Sequence, residues 1–450
     1  MSENTGTPVE PGDTLEDTRL TQEEMTTHDV VERPVDVRPS YATGIVFVVV
    51  GLLVVLLMTI WRGPADSTTF RFSDSSDLFK IPDTPIPAWL SAVLFGGVPL
   101  LLGALALTRP LAGRLKPLAI SAVVLCGILG FLVWCGTGQA DTTIDVTGLL
   151  TNTLFLAVPL ILGAMAGVVS ERSGVINVAI EGQMLASAFI AAMVATLVGN
   201  LYAGVLGALV TGALVGALLA VFAIRYVVNQ VVLGVVINLL VLGLTNYLYS
   251  SLMQTDAQKF NNPKIFQPIA IPVLSDIPIV GRLFFTANVL VYATYVVVVL
   301  VHVLLFHSRW GLRTRAVGEH PQAADTLGIK VNRTRYRNSL WAGALAGLAG
   351  AYLTIGSVGE FGANMTAGRG FIALAAVIFG RWTPIGSVGA AMLFAFCTAL
   401  RTLLSIIGTP VDIPTDLLSM LPYLVTIIVV AGVVGRVRPP AADGIPYVKG

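Results

Sequence analysis

Polar residues fall in blocks along this chain, separated by long apolar runs with no two-residue alternation. The runs cover Tyr41 to Trp61, then about 88–107, 118–137, 149–169, 183–199, 202–223, 230–250, 288–306, 338–356, 385–407 and 417–435. At 1.5 Å per helical residue, roughly 20 residues cross a hydrocarbon core about 30 Å thick. A shorter apolar piece, Phe371 to Phe379, is read as a crossing or a broken helix, which brings the count to about twelve. The pattern predicts an all-α fold, a polytopic transmembrane helix bundle with discontinuous helices.

The polar blocks set the expected domain organisation and threading. Residues 1–40 are acidic, rich in Thr and carry Pro8, Pro11, Pro34 and Pro39, which predicts a disordered tail. No cleavable leader is expected, because that stretch precedes the first apolar run. Residues 41–140 read as an extension of three membrane helices, 145–435 as the core, and 436–450 as a C-terminal tail. The segment 309–337 holds Arg309, Arg313, Arg315, Lys330, Arg333, Arg335 and Arg337 against Glu319 and Asp325. Short basic loops stay inside, so this loop, both termini and the Arg109–Lys116 connection are expected in the cytoplasm of a cell-membrane protein.

Composition agrees, with 55% hydrophobic and 12% charged residues, where a soluble domain carries roughly a quarter charged. A net charge of +1 gives no basic excess for a nucleic acid. Cys126, Cys135 and Cys397 lie in or at the end of apolar runs without metal-ligand spacing and read as packing residues. No GxxxxGK[ST], HExxH or GxSxG occurs. The chain is therefore expected to be no enzyme and to bind no cofactor; any ATP would be used by a partner.

Within the basic loop lies Glu319-His320-Pro321-Gln322-Ala323-Ala324-Asp325-Thr326-Leu327-Gly328. Pro321 suits a first helical turn and Gly328 a left-handed stop, which predicts a helix of two turns with a small apolar face of Ala323, Ala324 and Leu327. A surface loop that only fixes topology is the other reading of these residues. Gln-Ala-Ala, three residues and Gly resembles the coupling-helix signature of bacterial ABC importer permeases, with Gln322 where Glu is usual and the later Ile-x-Leu-Pro absent. Two further stretches, Glu171-Arg172-Ser173-Gly174-Val175-Ile176-Asn177-Val178-Ala179-Ile180-Glu181-Gly182 and Ala367 to Gly380, resemble the branched-chain amino acid, ribose and nucleoside permease family, its nucleoside members above all. The likeness covers roughly residues 145–435.

That resemblance implies a permease subunit forming the pathway for a nucleoside or a simple sugar. It also implies a cytoplasmic ABC ATPase docked on Glu319, Pro321, Gln322, Ala323, Ala324, Asp325, Leu327 and Gly328. A second permease subunit, identical or homologous, and an external solute-binding lipoprotein complete the expected set. Both long stretches place Gly and polar groups at the head of an apolar run, the pattern of a discontinuous helix whose free amides could face a solute. Polar groups at membrane depth are costly, which selects Asn177, Glu181, Asn238, Asn364 and Arg369 as pathway candidates, with Phe371 as a stacking face. Glu181 and Arg401 are equally readable as structural pairs. An ion-gradient-driven secondary transporter would show the same broken helices and buried carboxylates.

Overall fold

The computed structural model describes residues 41–60, 66–73, 79–109, 111, 115–137, 143–408, 417, 420 and 438–449. The tail expected over 1–40 lies outside them, as does the run at 417–435 apart from Leu417 and Met420. Ten helices among the described residues are long and apolar enough to cross a membrane. They are α1 (Tyr41–Ile60), α2 (Ala88–Thr108), α3 (Leu115–Gly136), α4 (Val146–Glu171), α5 (Ile180–Val198), α6 (Leu201–Arg225), α7 (Gln230–Met253), α8 (Val289–His307), α11 (Val331–Val358) and α13 (Pro384–Ile407). Three shorter helices matter for function: α9 (Arg309–Glu319), α10 (Pro321–Thr326) and α12 (Arg369–Phe379). The protein is a multi-pass membrane protein.

Five of the ten crossing helices begin on a side chain that takes up their first free amides. Asp145 accepts from Gly148 N at the head of α4, and Asn200 from Tyr202 N at α6. Asn229 accepts from Val231 N and Val232 N at α7, Asn288 from Leu290 N and Val291 N at α8, and Thr383 from Gly386 N at α13. Such caps satisfy donors that lipid could not.

The chain forms two compact units. One holds residues up to 64 together with 89–132. In it α1 lies against α2 through small residues: a methyl on Gly51 would meet Leu100 and the Gly96 carbonyl, and one on Gly103 would meet Val48. The other unit holds 65–88 and 133–450. The loop 65–88 thus belongs with the core although the sequence places it inside the extension. Its strand β1 (Ser67–Arg71) pairs antiparallel with β2 (Thr84–Pro87) and parallel with β3 (Thr143–Asp145), which leads directly into α4. Thr147 Oγ1 donates to Phe72 O, and Thr68 Oγ1 to Val133 O.

In the larger unit α4 is buried nearly all round, at the centre of two apolar clusters. One joins it to α5, α8 and α11; the other joins it to α8, α12 and α13. The pairs Gly212/Gly216 on α6 and Gly343/Gly347 on α11 face each other, so closely that a methyl on Gly212 would enter the Gly343 carbonyl. Lipid gives little apolar drive between helices, and close backbone approach takes its place. One boundary differs from the sequence reading: α11 begins at Val331, so Arg333, Arg335 and Arg337 belong to the first turns of a long helix. Polarity there masks the helix because Arg335, 1% exposed, spends its donors on backbone carbonyls.

Candidate functional site

Between α4 and α5 the chain turns back through residues 172–179, in a fixed shape. Ser170 Oγ donates to Val175 O, Ile176 N to Gln230 Oε1 of α7, and the Asn177 and Gln183 amides bond each other reciprocally. Gly174 takes φ +85°, which suits a residue without Cβ. This stretch carries the chain from one end of the bundle to the head of α5.

The head of α5 meets the head of α12. Glu181 Oε1 accepts from Gly368 N at 2.8 Å and Oε2 from Gly370 N at 2.6 Å, while Asn238 Oδ1 of α7 accepts from Gly182 N at 2.8 Å and its Nδ2 donates to Val178 O. Eleven residues make α12 about 16 Å long, half of a membrane core, so α12 is too short to cross on its own. The carboxylate also attracts the Arg369 guanidinium, whose Nη1 donates to Met365 O and Thr366 O. The half-helix amides that the sequence suggests for a solute are thus occupied by Glu181 and Asn238. Asn177, Glu181 and Asn238 are buried and bonded within the protein, and none of them lines the cavity beside the junction.

A cavity of about 550 Å³ opens beside this junction. That volume suits a small organic solute. It is lined by Asn152 and Phe155 of α4, Asn288, Tyr352, Glu360 and Arg369, among others. Arg369 is the candidate that the cavity and the junction share. Asn288 is already committed, capping α8 and donating to Gly356 O, whereas Asn152 and Glu360 carry no such bond among the described residues. Next to the cavity the segment 359–368 is irregular. Asn364 and Ala367 have positive φ, and Glu360, Asn364, Ala367 and Phe371 are exposed. Sequence reasoning missed Asn152, Tyr352 and Glu360; the polar break after α11 is the signal that marks Glu360.

The other end of the unit carries the basic residues. α10 runs from Pro321 to Thr326 and stops on Gly328 at φ +79°, with Gly328 N on Asp325 O and Ile329 N on Ala324 O. Ala324 is buried with Val317 and Val331, while Gln322, Ala323 and Leu327 are exposed, Leu327 by 81%. Pro321 and Asp325 are half-buried, and Glu319 is an exposed carboxylate facing Arg172 at 3.9 Å. α9 ends directly on the 172 turn, since a methyl on Gly318 would strike the Arg172 carbonyl. Arg172 Nε donates to Trp382 O, and Trp382 Nε1 to Glu171 Oε2. Burial lowers the Arg172 pKa, Glu319 opposes that, and Arg315 adds to it.

Residues 438–449 cover this end. Ala442 N donates to Gly318 O and Ala441 N to Glu319 Oε2, and Lys449 lies 3.9 Å from Asp325. Arg335 donates to Ser173 O, Ala442 O and Ile445 O. Burial lifts the Asp443 carboxyl to about 7, against the pull of Arg335 and a Gly444 backbone bond. His302 packs against Phe306, and Arg401 is exposed on α13. Among the described residues no group of three or more His, Cys, Asp or Glu could hold a metal.

Residues 149–430 match the family described as branched-chain amino acid transport system / permease component. The guanosine ABC transporter permease protein NupQ of Bacillus subtilis is 39% identical over 307 residues, 66% of this chain and 95% of that protein. The nucleoside ABC transporter permease protein NupC of Lactococcus lactis is 37% identical over 67% of this chain and 96% of its own. A putative glucose ABC transporter permease protein, TsgC13 of Haloferax volcanii, is 33% identical over 64% and 92%. No solved structure matches the chain.

Proposed function

This chain belongs to the branched-chain amino acid transport system permease component family, and on that premise we propose that it lines the pathway of an ATP-driven nucleoside importer. The observation that carries the reading is the polar, irregular segment 359–368 beside the 550 Å³ cavity, between the membrane helix α11 and the half-length α12. Irregular backbone is tolerated inside a membrane only against protein or a watery space. Its exposed residues Glu360, Asn364 and Ala367, with Phe371 in the first turn of α12, therefore face a second permease subunit across a shared pathway. The cavity receives the solute: Phe155 and Tyr352 offer aromatic faces, and Asn152, Glu360 and Arg369 offer the hydrogen bonds a nucleoside needs. The names of the guanosine and nucleoside permease relatives favour nucleosides over sugars.

At the basic end α9 and α10 face the cytoplasm and dock the ATPase, with Gln322, Ala323 and Leu327 as the contact face. Movement of α10 reaches Arg172 through Gly318 and Glu319, and the braced stretch 172–179 carries it to Glu181 and the head of α12. Such a path couples two sites, so a solute-loaded binding protein outside alters ATP turnover inside. The test is reconstitution with the ATPase and binding protein, measuring nucleoside-stimulated ATP hydrolysis and uptake. Stimulation that Arg369→Gln reduces at least tenfold is expected. Uptake by the chain alone, driven by an ion gradient without ATP, would overturn the reading.

A further inference from the structure

The C-terminal segment is bound to the coupling region at too many independent points to be a trailing end. Its backbone takes two hydrogen bonds from the buried Arg335 guanidinium, whose third goes to Ser173 O of the 172–179 stretch. Its Ala442 and Ala441 amides bond Gly318 O and Glu319 Oε2 at the end of α9. Tyr447 packs on the Val317, Ala324 and Val331 cluster beneath α10, and Lys449 pairs with Asp325 of α10 itself. Ile176 abuts Gly444 from the 172–179 side. One segment thus touches α9, α10, α11 and the 172–179 stretch, while Arg335 joins two of them through a single planar group.

We propose that residues 438–449, clamped by Arg335, are a strap that makes α9, α10 and the 172–179 stretch move as one body, so the C-terminus is a coupling element. The proposal rests on the ATPase-docking reading of α10. Apart from the strap, α10 is linked to the 172 turn through the end of α9, at Gly318 and at the 3.9 Å pair Glu319–Arg172. A long ion pair whose Glu319 partner is half-exposed transmits little, since solvent-screened pairs contribute roughly 0–1 kcal/mol. Arg335 is a positioning residue here. Lys could supply the charge and three donors, but all on one nitrogen, without the planar fork whose Nε, Nη1 and Nη2 reach the two segments.

Two measurements test the strap. In the purified chain, a variant ending at Val437 and the wedge Ala442→Trp are compared with the parent by amide hydrogen exchange. Exchange at least tenfold faster over both 318–328 and 172–177 is expected, and unchanged exchange there overturns the proposal whatever the transporter carries. In the complete transporter, uptake per ATP hydrolysed is expected to fall at least fivefold in both variants. A peptide of residues 438–450 added to the truncated form should restore it. Parent-like uptake per ATP in both variants also overturns the strap. A parent complex unresponsive to any nucleoside counts against the proposed solute instead, with the exchange result still deciding the strap.

Discussion

Glu181 separates a structural carboxylate from a solute ligand by a number. Its two oxygens accept from Gly368 N and Gly370 N at 2.8 and 2.6 Å, and the residue is 8% exposed. Glu181→Gln keeps one acceptor and turns an NH₂ donor toward the other amide. One charge-assisted bond is worth roughly 1.5–3 kcal/mol, and a charge at a helix N-terminus adds about 0.3–2. A cost near 3 kcal/mol follows, about a hundredfold in the local opening equilibrium at 1.4 kcal/mol per decade. Amide exchange over 366–372 in the lipid-embedded chain should therefore speed up by about two orders of magnitude. Uptake should fall because the head of α12 no longer holds its place. Protection within threefold of the parent, accompanied by a changed KM for solute, would refute the capping role.

Three further outcomes are expected. Gly212→Ala should destabilise the purified chain by about 1–3 kcal/mol in a thermal melt, because the added methyl enters the Gly343 carbonyl and overpacks α6 on α11; an unshifted melt would mean the helices can separate freely. Leu327→Asp should leave the fold intact, since the side chain is 81% exposed. ATPase binding should weaken by about 10–100-fold, the value of a buried leucine, and an unchanged Kd by titration would exclude Leu327 from the contact. Asp443, raised to about 7 by burial against the pull of Arg335, favours the docked strap in its protonated form. That contribution is complete below about pH 4 and lost as pH rises through 7. Proteolysis of residues 438–449 should accelerate from pH 6 to 8, and Asp443→Asn should flatten the dependence.

Much of the architecture was legible in sequence because lipid imposes one rule on every crossing, and a run of apolar residues is its direct record. The α10 helix was legible for a local reason: Pro321 and Gly328 each have a conformational preference that marks an end. Arg335 was not. In sequence it is one of seven basic residues in a topology marker, and only the fold brings the carbonyls of Ser173, Ala442 and Ile445 around it. Glu181 and Asn238 stand out in the sequence as polar residues among apolar ones. Polarity alone does not tell whether the partner is a solute or a backbone amide, here the amides of Gly182, Gly368 and Gly370. Asn152 and Glu360 stayed hidden because a cavity is a property of several helices at once.

The small sheet at the start of α4 bears on how the chain is made. Thr69 of β1 pairs with Thr143 of β3, 74 residues later, and α2 and α3 lie between them in the chain. A ribosome adding roughly 5–20 residues per second exposes β1 about 4–15 seconds before its partner exists. For that interval β1 has only β2 beside it, and a two-stranded ribbon is marginal in water. The sheet closes only after two further helices have been threaded. Removing β3 should therefore leave membrane insertion of the first three helices intact while delaying protease resistance of the loop between α1 and α2.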